Sequence, residues 1–191
     1  RVDKDLEQSH LILGFQGAPK KSDDYSPFSV LSTLLGGGMS SRLFQKIREE
    51  RGLAYSIYSF HLGLSDDGLF GIYAGTGPEK LSELIPVVCD EILDTTRSIS
   101  GEELERAKSQ MKDLMLDRER MLSRADQQAK YLINFDKEFD IDTIVKKIER
   151  VTAQDVKETA CKMLESPPTV AALGPLQGLE EHDGIKGRLA A

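Results

Sequence analysis

The spacing of apolar residues divides the chain into strands and helices. Continuous or alternating apolar runs predict strands in the segments 5–16, 53–62, 69–76 and 169–173. Apolar residues three and four positions apart predict helices in the remaining segments. These helices are expected at 24–35, at 40–51, from 78 through 92, over a long bent stretch at 100–135, at 141–150, and from 152 up to the Pro167-Pro168 pair.

The order of these elements is strand, helices, strand, strand, helices, strand. This is the split β-α-β order of a ferredoxin-like α+β layer, enlarged on its second helical side. We therefore expect an antiparallel-dominated sheet with helices on one face. No linker or internal repeat interrupts the chain, so the prediction is a single domain over 1–191, with a polar tail at 176–191.

Composition and charge exclude several classes of protein. The chain has 191 residues, a net charge of −7 and 39% apolar residues, which is ordinary for a globular domain. An acidic chain lacks the clustered basic surface that binds nucleic acid. No apolar run approaches the roughly 20 residues that cross a bilayer, so no membrane span is expected. Cys89 and Cys161 are predicted to be buried free thiols, which favours a reducing compartment such as the bacterial cytoplasm or the mitochondrial matrix.

The residues that usually carry catalysis are sparse and scattered. The histidines are His10, His61 and His182, and no two of them have the three- or four-residue spacing of a helical metal site. Nucleophile-elbow, phosphate-loop and dinucleotide fingerprints are absent from the sequence. We predict that this chain binds no metal and carries no self-sufficient catalytic centre.

The informative stretch is residues 34–60, which reads LLGGGMSSRLFQKIREERGLAYSIYSF. It predicts a helix, a glycine loop, a basic helix that Ser40 or Ser41 caps and Gly52 ends, and an aromatic strand. Three consecutive glycines exceed what a helix stop needs. Their backbone can adopt positive φ and allows another chain to approach closely.

This stretch is similar to the hallmark of the pitrilysin-type zinc metallopeptidases, especially of their mitochondrial processing peptidase-like branch. Shorter segments resemble the same family: LEQSHL at 6–11, GEELERAK at 101–108, VTAQDV at 151–156 and GP at 174–175. The resemblance covers nearly the whole chain. It implies the α+β architecture of processing-peptidase-like metallohydrolase domains.

Such peptidases are clamshells of two similar halves, and the first half carries the inverted zinc motif H-x-x-E-H and a distal Glu. This motif does not occur here. The chain therefore resembles the C-terminal half, which holds substrate and lacks metal. The resemblance implies an N-terminal half with zinc and a peptide substrate as partners, and leaves a dimer open. The parent protein would be a zinc metalloendopeptidase, and this chain alone would be inactive.

In the family, the second half contributes an Arg and a Tyr seven residues apart to the shared active site. Arg48 and Tyr55 have this spacing. The resemblance implies that Arg48 holds the substrate backbone and that Tyr55 hydrogen-bonds the carbonyl oxygen as it becomes an oxyanion. Substrate-binding roles are further predicted for Gly36, Gly37, Gly38 and Arg51.

Two other functions remain compatible with the sequence. A non-catalytic scaffold or substrate-binding subunit of the same fold would have a very similar sequence. An intact H-x-x-E-H ahead of this chain would favour the enzyme, and a degraded motif would favour the scaffold. A ferredoxin-like module that binds small ligands is a third alternative.

Overall fold

The computed structural model describes residues 1–116 and 121–190. Its centre is a five-stranded sheet in the order β1-β5-β2-β4-β3. The strands are β1 (Val2–Asp3), β2 (Ser9–Gln16), β3 (Ser56–Gly63), β4 (Gly68–Thr76) and β5 (Thr169–Gly174). Only the β1–β5 pair is parallel among the described strands, so the predicted antiparallel-dominated α+β sheet is confirmed.

Period-two alternation sorts the strand side chains onto two faces. Leu11 and Leu13 of β2, together with Phe70 and Ile72 of β4, point into the core and are buried. Residues between them point to the opposite, open face of the sheet. The open face carries exposed apolar side chains, namely Ile12, Tyr58, Leu62 and Leu69.

The described helices surround the buried face of the sheet. Their bounds are α1 (Tyr25–Gly36), a π-helix (Phe44–Glu49), a 3-10 turn (Pro78–Lys80), α2 (Leu81–Arg97), α3 (Gly101–Leu116), α4 (Met121–Phe135), α5 (Ile141–Arg150), α6 (Ala153–Leu164) and α7 (His182–Leu189). Helix α1 packs on β3 and β4, and α6 packs on β2. The part of the predicted long helix at 117–120 lies outside the described residues. None of the described helices is long and apolar enough to cross a membrane.

Local side-chain capping explains where two helices begin. Glu103 Oε2 accepts the backbone N–H of Ser100, and Ser100 Oγ accepts the backbone N–H of Glu103 at 3.2 Å. Thr152 and Asp155 make the same reciprocal pair at the start of α6. Such a capping box satisfies two amide groups that the first helical turn leaves unpaired.

The two ends of the chain differ from the sequence prediction. Val2 and Asp3 form a short strand on β5, which is too short to leave an apolar pattern. Within the predicted polar tail at 176–191, residues 182–189 form α7, a helix that the apolar pattern does not predict. Leu179, Ile185 and Leu189 are buried in the main hydrophobic cluster. Burying these three side chains fixes a segment whose remaining residues are mostly polar.

Candidate functional site

The glycine loop at 36–38 is held tightly against its neighbours. Gly36 is buried, and a Cβ there would collide with the backbone amide of Ser59 on β3. A Cβ on Gly37 would lie 2.7 Å from the backbone of Thr33. The positive-φ backbone that the sequence suggested is not used, since Gly37 has φ −78°. Gly36 therefore allows α1 and β3 to approach closely, while Gly37 lies against the last turn of α1.

Side chains from two flanking elements fix the carbonyl groups of this loop. Gln110 of α3 donates its amide to Gly37 O at 2.5 Å, and Gln45 donates to Met39 O at 2.6 Å. Ser41 Oγ donates to Gly38 O at 2.6 Å, so its hydroxyl belongs to the loop. The loop is therefore a positioned segment with an exposed Gly37 at its tip.

The helix after the loop is wider than the α-helix that the sequence predicts. Residues 44–49 form a π-helix, in which the Glu50 N–H reaches Gln45 O at 2.9 Å. Inserted π turns occur frequently at functional sites. Ile47 is buried beneath this segment, while Arg48 beside it is exposed. The Arg48 guanidinium lies 4.8 Å from the centre of the Phe44 ring, a cation–π contact that orients it.

A tight turn leads from the π-helix to Tyr55. Gly52 has φ +58°, a left-handed backbone that ends helices and favours glycine. Its N–H binds Arg48 O at 3.2 Å, and Leu53 N–H binds Ile47 O at 2.8 Å. The Tyr55 N–H then binds Gly75 O at 2.9 Å, which fixes the Tyr55 backbone beside the end of β4. These three backbone hydrogen bonds hold the segment between Arg48 and Tyr55 in one conformation.

Tyr55 and Arg48 both leave their polar groups accessible. The Tyr55 side chain is 58% exposed, and it follows the buried residues Leu53 and Ala54. A phenol donates one hydrogen bond, whereas a guanidinium offers several donors in a rigid fork. Both can therefore bind carbonyl or carboxylate oxygens presented from solvent. Their functional roles stay predictions.

Arg51 points towards α2. Its guanidinium forms an ion pair with Glu83 at 3.8 Å, and both side chains are about half exposed. Exposed pairs of this kind contribute little to stability. The substrate-binding role predicted for Arg51 stays a prediction, as do those of Gly36, Gly37 and Gly38.

Arg42 holds the start of this helix against the α2–α3 connection. Its Nε and Nη2 donate to the two carboxylate oxygens of Glu103 at 2.7 and 3.0 Å, and Nη2 also donates to Ser98 O at 2.8 Å. The guanidinium of Arg42 and the capping bonds from Ser100 lower the pKa of Glu103 to about 2. The sequence does not predict this pair, because Arg42 and Glu103 are 61 residues apart in the chain.

The histidines and cysteines serve other purposes. His61 packs between the rings of Tyr25 and Phe28, and burial lowers its pKa. Among residues 1–116 and 121–190, no group of three His, Cys, Asp or Glu side chains could hold a metal ion. The described residues therefore do not fit the zinc that the family uses.

Cys89 is buried as predicted, but Cys161 is exposed, which corrects the prediction of two buried thiols. Cys161 lies on the solvent side of α6, where its neighbours Val156 and Ala160 take the buried positions. Burial raises the pKa of the Cys89 thiol to about 12. A reducing location stays a prediction.

One further cluster lies on the open sheet face, next to the segment with Tyr55. His10 Nδ1 is hydrogen-bonded to the Tyr73 hydroxyl at 2.8 Å, and the Tyr73 ring stacks on Tyr58 at 4.9 Å. The sequence contains one sign of this cluster: Tyr58 and Phe60 are two residues apart, which places both rings on one side of β3.

Comparison with known proteins gives consistent matches. The family model described as the peptidase M16 inactive domain matches residues 1–111. An uncharacterized zinc protease of Streptomyces coelicolor is 34% identical over 189 residues, covering 96% of this chain and 41% of the relative. An uncharacterized zinc protease of Rickettsia felis is 39% identical over 176 residues, covering 91% of this chain and 43% of the relative. The chain thus spans about two fifths of these relatives.

A solved structure has the same fold. A chain of complex III2 from Candida albicans, with Inz-5 bound, superposes with a TM-score of 0.88 and covers 99% of this chain and 48% of that chain. Its sequence identity is 18%, so the likeness concerns the fold alone.

These matches define a domain of the metallopeptidase class. The chain belongs to the peptidase M16, or pitrilysin-like, family and corresponds to the domain that its model describes as inactive. The resemblance to the C-terminal half of such a peptidase is confirmed.

Proposed function

We propose that this chain is the substrate-holding half of a zinc-dependent metalloendopeptidase that cleaves peptides or unfolded segments. The observation that carries the proposal is the segment 47–55. Backbone hydrogen bonds fix this turn, and the side chains of Arg48 and Tyr55 are exposed on it. The names of the relatives, all zinc proteases, support the reaction class.

Tyr55 would act on the carbonyl oxygen of the scissile peptide. As that oxygen gains negative charge, a neutral phenol that donates a hydrogen bond stabilises it more strongly than it stabilises the ground state. Tyr55 suits this role because its backbone is fixed by the bond to Gly75 while its hydroxyl is accessible. The phenol needs no change of protonation to do so.

Arg48 would hold the substrate backbone or a substrate carboxylate next to Tyr55. Its contact with the Phe44 ring restricts the guanidinium before substrate arrives, which lowers the entropy lost on binding. Gly37 and Gly38 would allow the substrate backbone to pass close to the loop, and Arg51 would extend the basic surface. Zinc would belong to an N-terminal half, since the described residues do not fit it.

The test uses the full-length protein and an unfolded peptide substrate. We expect Tyr55→Phe to lower kcat by roughly 10- to 1000-fold with little change in thermal stability, as for other lost oxyanion donors. Tyr58→Phe is the matched control, because it removes a phenol from the same strand region outside the proposed site. Arg48→Gln should raise KM, whereas Lys46→Gln on the same helix should not. Unchanged turnover in Tyr55→Phe would remove this residue from the site.

The same experiment separates the enzyme from a non-catalytic scaffold. A wild-type full-length protein that binds the peptide with no zinc-dependent cleavage would be a substrate-binding subunit. In that case Arg48→Gln would still weaken peptide binding, while Tyr55→Phe would have little effect. Cleavage by the isolated chain alone, free of contaminating peptidase, would contradict the proposal.

A further inference from the structure

Helix α4 carries an apolar stripe that no part of the described chain covers. Met121 and Leu122 are each 86% exposed, Ile133 is 83% exposed and Leu132 is 50% exposed. Among the described residues of α4, none is buried. Scattered exposed apolar residues are common on protein surfaces, but several on one helix need an explanation.

The exposed apolar residues of α4 lie on one face. At 100° per residue they fall within an arc of about 120°. We call this set of exposed residues the α4 stripe. It consists of Met121, Leu122, Ala125, Ala129, Leu132 and Ile133. The pattern is that of a helix that packs against a partner along its length.

A neighbouring face of α4 has contacts within this chain. The Tyr131 ring lies 4.5 Å from that of Phe135 and 5.4 Å from that of Phe139. Gln128 Oε1 accepts the backbone N–H of Phe139 at 3.0 Å. This side of the helix therefore contacts the segment that follows it, and the α4 stripe is its free side.

The size of the stripe favours a covalently linked partner over a second copy. A helix of 15 residues is about 22 Å long, so a stripe about 10 Å wide offers on the order of 200 Å². A stable dimer buries roughly 800 Å² on each partner. A segment of the same polypeptide has an effective concentration in the millimolar range, and a much smaller contact is then sufficient.

The relatives are long enough to contain a linked partner segment. This chain covers 41% and 43% of the two relatives described above, so more than half of each lies outside the matched region. The charges around the stripe do not suit a membrane surface, since its flanks carry Arg124, Asp126 and Lys130 and lack the Lys/Arg-rich face of an interfacial helix.

We propose that the α4 stripe docks on an apolar surface of the N-terminal half of the same protein and holds the two halves together. This surface does not include Arg48 or Tyr55, so the inference stands independently of their catalytic roles. Replacing its most exposed apolar residues should weaken the contact between the halves and leave the fold of each unchanged.

The test keeps the two halves of the full-length protein on one polypeptide, because the small stripe depends on the effective concentration that this linkage supplies. A photo-crosslinking amino acid at position 129, within the α4 stripe, should crosslink α4 to the N-terminal half of the wild type. Leu122→Glu combined with Ile133→Glu should lower the yield of this crosslink at least ~10-fold, because two carboxylates would be buried without partners. Arg124→Gln combined with Lys130→Gln changes the net charge by the same amount on the same helix and should leave the yield unchanged.

Three results would overturn the inference. They are a wild type with no crosslink from position 129 to its N-terminal half, a double Glu variant whose crosslink yield equals that of the wild type, and a crosslink that joins two copies of the full-length protein. The last result would assign the stripe to a second copy. Far-UV circular dichroism checks that each variant is folded.

Discussion

Arg42 and Glu103 form a paired hydrogen bond that ties the helix after the glycine loop to the start of α3. Nε and Nη2 of Arg42 lie 2.7 and 3.0 Å from the two carboxylate oxygens of Glu103. The exposed fractions of their side chains are 14% and 23%, so water screens the pair only in part. This contact positions the segment that carries Arg48.

Removing this pair should destabilise the protein and change its response to acid. We expect Glu103→Gln to lower the free energy of unfolding by about 2 kcal/mol, because a charge-assisted bond is lost and Arg42 is left without its carboxylate. In the folded protein the pKa of Glu103 is about 2, against 4.5 normally, so the unfolded chain binds the proton first. The stabilisation is therefore complete above pH 4.5 and is lost as the pH falls towards 2.

Urea denaturation at a series of pH values measures this effect. The difference in stability between wild type and Glu103→Gln should shrink as the pH falls below 4.5. Glu102→Gln is the matched control, since its carboxylate is 84% exposed and pairs with Arg106 on the surface. The control should change stability by less than about 0.5 kcal/mol. A pH-independent difference would contradict the assignment.

The close approach of α1 to β3 predicts a strong effect at Gly36. Gly36→Ala should destabilise the protein by about 1–3 kcal/mol, because the new methyl group meets the Ser59 backbone and the sheet must shift. Gly187→Ala in α7 is the control, since nothing lies within 4 Å of its added Cβ. Alanine is the better helix former, so the control should be neutral or stabilising by up to about 1 kcal/mol. Equal thermal stability of the two variants would rule out the close contact.

The sequence predicted those parts of the fold that depend on neighbouring residues. The helix starts at Ser100 and Thr152 depend on such neighbours, because the capping partner of each lies three residues away. The Arg42–Glu103 pair could not, because 61 residues separate its members and only the folded chain brings them together. Helix α7 was missed for a similar reason, since its buried residues are too few to form a periodic pattern.

For the candidate site, local spacing and the family resemblance together indicated Arg48 and Tyr55. The sequence does not reveal why glycines are needed at 36–38. Three glycines in a row suggest a flexible backbone, whereas the close contact between Gly36 and Ser59 depends on how α1 packs on β3. The π-helical geometry at 44–49 could not be predicted either, since nothing in the local sequence distinguishes it from an α-helix.

The two cysteines should differ sharply in reactivity. A thiol reagent such as iodoacetamide should modify Cys161 in the native protein, because this residue is exposed. Cys89 should be protected at least ~100-fold, because it is buried and its pKa is about 12, so little thiolate forms. Mass spectrometry of native and urea-treated samples measures both rates. Rapid native labelling of Cys89 would contradict its burial.

The burial of α7 predicts that the end of the chain contributes to stability. Ile185 is fully buried, and Ile185→Ala should lower the free energy of unfolding by about 2–5 kcal/mol through lost contacts and the cavity left behind. Leu64→Ala is the matched control, since this side chain lies in the hairpin and is 50% exposed, and its loss should cost no more than about 0.5 kcal/mol. Urea denaturation of both variants distinguishes a packed helix from a solvated tail. If the two substitutions have equal and small effects, α7 does not belong to the core.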